Sequence, residues 1–246
     1  MNHLSIVIPT RNRWEKLARC LDSIEVQEWL DIRIRIDRCF VPRDLPFYKR
    51  PDVRLELHPS ETGSHHVGAG AVACRNAEIS HCPDAVLYAT DDITFRPGAL
   101  EAARALFNAA FPDDDGVLGI KQDKAHHPTG VAVIGKKFLD RYPGRRPFFP
   151  GYYHFAAQEI HWLADKFGKF AMTPDVCIDH YHPDKCKDEM DETHVEARAH
   201  KAEDMALIAE RQAAGTIWGD CCKASAIADD MYRIEKHEKA WAEAQA

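Results

Sequence analysis

Residues 85–101 read AVLYATDDITFRPGALE, and the fold class follows from what this stretch demands. The apolar run that starts at Ala85 is short and closes on polar residues, as a strand buried on both faces requires. It ends in two adjacent carboxylates, Asp91 and Asp92. Pro97 then suits the first turn of a helix, in which Leu100, Ala103, Phe107 and Ala110 form one apolar stripe. A buried strand, a polar strand end and an amphipathic helix make the unit of a parallel α/β sheet, where ligands bind outside the carboxyl ends of the strands.

The same unit recurs towards the N-terminus. Leu4 to Ile8 is a buried-strand run closed by Pro9, and Trp14, Leu17, Leu21 and Ile24 lie on one helical stripe. In DIRIRID, Ile32, Ile34 and Ile36 alternate with Arg33 and Arg35, which predicts a strand with one polar face ending at Asp37. Val53 to Leu57 repeats the alternation, and a Gly-rich loop, GSHHVGAG, leads into a short helix, AVACRNAEIS. Towards the C-terminus come two strand candidates, Gly116 to Lys121 and Gly130 to Ile134. A loop rich in Pro, Gly and aromatics follows from Arg141 to Tyr153, then a helix from near His154 with Ala156, Ile160, Leu163 and Phe167 inward and Gly168 as its stop. Beyond Pro183 the chain is charged and alanine-rich, predicting two or three helices broken near Gly215 to Gly219. The expectation is an α/β domain over 1–185 and a helical C-terminal extension over 186–246, which packs back on the domain or forms an oligomer contact.

Composition fits this reading. The 246 residues include 29% charged and 9% aromatic side chains, which excludes disordered, collagen-like and fibrous chains. No apolar run reaches the roughly 18 to 20 residues of a membrane span, so a soluble, cytoplasmic protein is expected. The eight cysteines contain no CxxC spacing and are expected to be reduced thiols; vicinal Cys221 and Cys222 read as a helix-packing feature. The net charge of -7 is uneven: residues 187–246 hold 14 acidic and 8 basic side chains. That predicts a tail facing away from any polyanion.

Four groups of polar residues fall at strand ends: Thr10 to Arg13, Asp37, Arg75 with Asn76, and Asp91 with Asp92. Paired carboxylates there attract a hard divalent cation that bridges to phosphates, although an isolated Asp-Asp pair also suits a solvated turn or a helix cap. The pieces SIVIPTRNR, Asp37, GAGAVACRNAEI and YATDDITFRPGALE, in this order over residues 3–182, resemble family-2-like glycosyltransferases of the GT-A fold. The resemblance implies a Rossmann-like, mostly parallel sheet with helices on both faces. It implies a nucleotide-diphosphate sugar donor, held by Pro9, Thr10, Arg11, Asp37, Arg75, Asn76 and Asp91. It also implies Mn²⁺ or Mg²⁺ on Asp92 with His180 or His182, of which His180 is preferred, and inverting transfer to an acceptor hydroxyl with Glu159 as general base. Thr90 stands where the first carboxylate of an Asp-x-Asp motif is common, and Glu159 lacks the usual acidic neighbour.

Other readings compete. Cys177, His180, His182 and Cys186 are zinc-ligand types close together, but they lack knuckle spacing. His65, His66, His126 and His127 read as polar-loop residues. Lys136, Lys137, Arg141, Arg145 and Arg146, interleaved with Phe148, Phe149, Tyr152 and Tyr153, form a basic, aromatic segment before Glu159. Such a segment suits a phosphate backbone with stacked bases, or a sugar ring. A saccharide or small-molecule acceptor ranks first, with hydroxymethylated pyrimidines in DNA second. A non-catalytic nucleotide-sugar or nucleic-acid binding module of the same fold is the alternative from a different class.

Overall fold

The computed structural model describes residues 1–57, 69–123, 127–185 and 188–220. In chain order the elements are β1 (Leu4–Thr10), α1 (Trp14–Asp22), β2 (Leu30–Ile36), β3 (Val53–Leu57), α2 (Ala71–Ile79), β4 (Ala85–Tyr88), β5 (Ile93–Phe95), α3 (Ala99–Ala110), β6 (Val117–Gly119) and β7 (Ala132–Ile134). Then come α4 (Lys136–Leu139), α5 (Gln158–Lys166), β8 (Phe170–Met172), β9 (Ile178–His180) and α6 (Glu192–Ala213).

Seven strands form one sheet in the order β3-β2-β1-β4-β7-β6-β8, and β5 pairs with β9 in a separate antiparallel ribbon. Within the large sheet β7 runs against both neighbours, β4 and β6, while the other pairings are parallel. Parallel neighbours need a crossover connection: α1 supplies it from β1 to β2 and α2 from β3 to β4, while β2 passes to β3 through a loop with one 3-10 turn, Pro46–Lys49. The expected mostly parallel sheet with helices on both faces is therefore present.

Two apolar clusters cover the two faces. On one, Ile6, Ile8, Ile32 and Ile34 pack with Leu17, Leu21 and Phe107 of α1 and α3. On the other, Val7, Val86 and Tyr88 pack with Val72 of α2, Ile160 and Leu163 of α5, and Ile208 of α6 with Trp218 beyond it. The described part of the extension thus belongs to the same core. No described helix is long and apolar enough to cross a membrane.

The predicted polar face of β2 is not solvated. Arg33 and Arg35 point under α2, where Glu78 accepts from both at 3.3 and 2.7 Å. Buried charge is tolerated there because each guanidinium meets a carboxylate. Phe148, Phe149 and Tyr152 of the basic, aromatic segment are buried in the second cluster. The cysteines at 20, 39, 74, 82 and 177 are buried and free of disulfides, while the others, with His65, His66, His126 and any helix beyond Asp220, lie outside the described residues.

Candidate active site

A pocket opens at the carboxyl ends of β1, β2 and β4, where each chain exit contributes a side chain. After β1 come Arg11 and Arg13, below Pro9 and Thr10; after β2, Asp37; after β4, Thr90 and Asp91. Gly70, Ala71 and Arg75 enter from α2, Tyr153 and His154 from the segment before α5, and Thr193, Glu196 and Ala197 from α6. β1 and β4 are neighbours at the point where the strand order reverses, the usual ligand crevice of open α/β sheets.

Asp37 holds the entrance to α2 in place: its two oxygens accept from the backbone N–H of Ala69 at 2.7 Å and of Gly70 at 3.2 Å. Gly70 has φ +88°, and a Cβ there would stand 2.7 Å from the Tyr153 carbonyl oxygen, so the approach of this loop to Tyr153 requires glycine. Thr10 donates to Asp91 at 2.8 Å. Arg75 is buried, donates to the Ala89 carbonyl at 3.2 Å and lies over the Tyr88 and Phe148 rings.

Arg13 is the hub. Its Nη1 lies 2.9 Å from Asp91, its Nη2 donates to Asp92 at 2.8 Å, and its Nε lies 3.2 Å from Asp191 ahead of α6. Although burial works the other way, these three carboxylates raise its pKa further above the ordinary arginine value. Burial pushes Asp91 up to about 6 even beside Arg13. Asp92 is held well below the carboxylate range: burial opposes this, but hydrogen bonding to His180 and His194 and the charge of Arg13 outweigh it.

The β5–β9 ribbon pairs Ile93 with His180, which brings the His180 Nε2 to 3.3 Å from Asp92. His194 of α6 stands 3.4 Å from the other Asp92 oxygen, and its Nδ1 is 2.7 Å from Asp191. The His182 Nδ1 accepts from the Asp184 backbone N–H at 3.1 Å. Cys177 is buried in the first apolar cluster, which leaves the zinc reading without a paired ligand among the described residues.

Two expected residues and the basic segment are elsewhere. Glu159 is 1% exposed and fully engaged: Arg211 donates to both its oxygens at 2.6 and 2.9 Å, Tyr152 donates at 2.5 Å and the Trp218 backbone N–H at 2.5 Å. With four donors on its carboxylate and no place in the pocket lining, Glu159 has the geometry of a structural anchor, and its expected role as acceptor base draws no support from this arrangement. Asn76 exchanges hydrogen bonds with the Phe148 backbone and does not line the pocket. The basic segment is also displaced. Because β7 is antiparallel, Ile134 sits beside Val86 near the start of β4, so α4 and the residues after it begin at the opposite end of the sheet. There Lys136, Lys137 and Arg141 pair with Asp84, Asp113 and Asp115, and Arg145 donates to the Asp84 carbonyl. Arg146 is exposed.

The extension supplies what the sequence reading missed. Asp191, His194 and Glu196 face the strand-end site, Glu196 pairing with Arg11, so the first turns of the extension's described helix face the pocket and not away from it. Asp204 is buried and accepts from three consecutive backbone N–H groups, those of Tyr153, His154 and Phe155, at 2.8–2.9 Å. The available signal was spacing: Thr193, Ala197, Asp204, Ile208 and Arg211 share one helical face, but its polar members disguise it as solvent-exposed.

No protein-family model and no curated protein matches the chain. Solved structures do. Mannosyltransferase PcManGT from Pyrobaculum calidifontis, in complex with GDP-Man and Mn²⁺, aligns with TM-score 0.52 at 14% identity over 97% of this chain and 82% of that one. The chain has the GT-A fold. S. aureus TarS 1–349 in complex with UDP-GlcNAc aligns with TM-score 0.56 at 15% identity over 78% of this chain. The chain covers 60% of that structure's length, and 36% of a longer TarS structure.

A divalent cation, carried by the GT-A mannosyltransferase, does not fit the residues here. No group of three or more His, Cys, Asp or Glu side chains among the described residues is disposed to hold one. The side chain set against both Asp91 and Asp92 is a guanidinium.

Proposed function

We propose that the protein is a glycosyltransferase that binds a nucleotide-diphosphate sugar in the pocket above β1 and β4. The observation that carries this is the convergence of Arg11, Arg13 and Arg75 with Asp37 and Asp91 on one strand-end pocket of a GT-A sheet. Guanidinium groups suit a diphosphate, and carboxylates suit ribose hydroxyls and base N–H groups. In transfer, an acceptor hydroxyl oxygen would bond to the anomeric carbon and lose its proton to solvent while the bond to the diphosphate breaks, leaving that bond's electron pair on the phosphate facing these arginines. The GDP-Man and UDP-GlcNAc complexes of the two fold relatives support a donor of this class.

Inversion was expected from Glu159 acting as base; with that carboxylate held by Arg211, the proposal carries no stereochemical outcome. The same observation favours a second reading, a nucleotide-sugar binding module without transfer. Incubation with a panel of UDP- and GDP-sugars, with free nucleotide and bound donor measured separately, distinguishes them. Nucleotide release supports the transferase, binding without release supports the module, and neither with any donor overturns both. The DNA reading is not carried forward, since none of the five cations behind it lines the pocket.

A further inference from the structure

Arg13 occupies the position between carboxylates that a bridging cation would need. It contacts Asp91 and Asp92 at 2.9 and 2.8 Å, and the same Nη2 lies 3.3 Å from the His194 Nε2. The guanidinium is held from behind by Asp191, so it is ordered by three carboxylates and one imidazole, with its side chain 9% exposed. A divalent ion placed on Asp92 would have to compete with Arg13 for the carboxylate oxygen that already accepts from its Nη2.

We propose that Arg13 is a donor-binding residue that supplies the positive charge at the acidic pair, so that the nucleoside diphosphate binds without a divalent cation. The inference rests on the donor-site reading above. Arg13 is built for the role: it sits at the start of α1, directly after the β1 loop, and lines the same pocket as Arg11 and Arg75. A guanidinium has five N–H donors, more than the three carboxylate contacts use, so Arg13 can keep these carboxylates and still donate to a phosphate oxygen.

The test is calorimetric binding of UDP and GDP to the full chain in EDTA and in Mn²⁺, with Mn²⁺ electron paramagnetic resonance on the same samples. For whichever nucleotide binds, affinity is expected to agree within about twofold in EDTA and Mn²⁺, with no protein-bound Mn²⁺ signal in the absence of nucleotide. Arg13→Ala is expected to lose at least tenfold in EDTA, and Arg13→Lys to recover part of it, with circular dichroism confirming that both fold. If either variant fails to fold, the wild-type comparison decides alone. Nucleotide binding that strengthens tenfold or more with Mn²⁺, or Mn²⁺ bound by the wild-type protein alone, overturns the proposal while leaving the donor site intact. Failure of both nucleotides to bind under either condition overturns the donor site itself.

Discussion

Arg211 of α6 closes on both oxygens of Glu159 at the start of α5, tying the C-terminal helix to the sheet domain through a buried ion pair. Removing one partner of such a pair leaves the other charged and dry. Glu159→Gln is therefore expected to destabilise the fold by about 3 kcal/mol in urea denaturation. Activity per folded molecule should stay within about threefold; a loss of about 10²-fold or more at undiminished stability would restore Glu159 as the base.

Asp204 fixes the segment that carries Tyr153 and His154 into the pocket. Asp204→Ala leaves three backbone donors without their acceptor and is expected to cost about 3 kcal/mol. Hydrogen exchange should accelerate at residues 153–155 before it does in β1 or β4, and donor binding should weaken with it.

The pocket encloses about 60 Å³, against roughly 300–1,000 Å³ for small-molecule sites. Thr193, Glu196 and Ala197 form one of its walls, so donor entry must shift this turn of α6 or the side chains it presents. Glu196→Gln, which removes the carboxylate from Arg11, is expected to raise nucleoside diphosphate affinity about three- to tenfold by calorimetry. Unchanged or weaker binding would assign Glu196 to the donor contacts instead.

Burial places Asp91 at about 6, above its unfolded value of 3.8. The folded state therefore holds this proton more tightly, and the associated stability is full below pH 3.8 and lost as pH rises through about 6. Wild-type protein should lose melting temperature relative to Asp91→Asn between pH 4 and pH 7. A difference that is flat over this range would contradict the raised value.

Alanine substitution of Lys136, Lys137 and Arg145 together should leave nucleotide binding within twofold and stability within about 1 kcal/mol, because exposed ion pairs contribute little.

Local pattern was legible wherever a strand or helix meets the core along a regular period. The run before Asp91, the stripe of α1 and the alternation of β2 all formed the elements they predicted. Thr10, Arg11, Asp37, Arg75 and Asp91 reach one pocket because parallel strands deliver their following residues to the same end of the sheet. Asn76 and Glu159 read as site residues through the resemblance to glycosyltransferases, yet each side chain is consumed by a buried partner far along the chain, Phe148 and Arg211.

The sequence by itself determined an α/β chain with arginines and carboxylates at its strand ends, because burial periodicity and strand-end polarity are local properties. Tertiary structure decided three things that no local period encodes. The reversal of β7 sent the basic segment to the opposite end of the sheet. The docking of α6 turned an acidic tail into a wall of the pocket, through pairings of Asp191 with Arg13 and Glu196 with Arg11 that span more than 170 residues. The same docking put Arg211 on Glu159. Each is a pairing of charges or strands distant in sequence, whose partners are fixed only when the chain closes around one core.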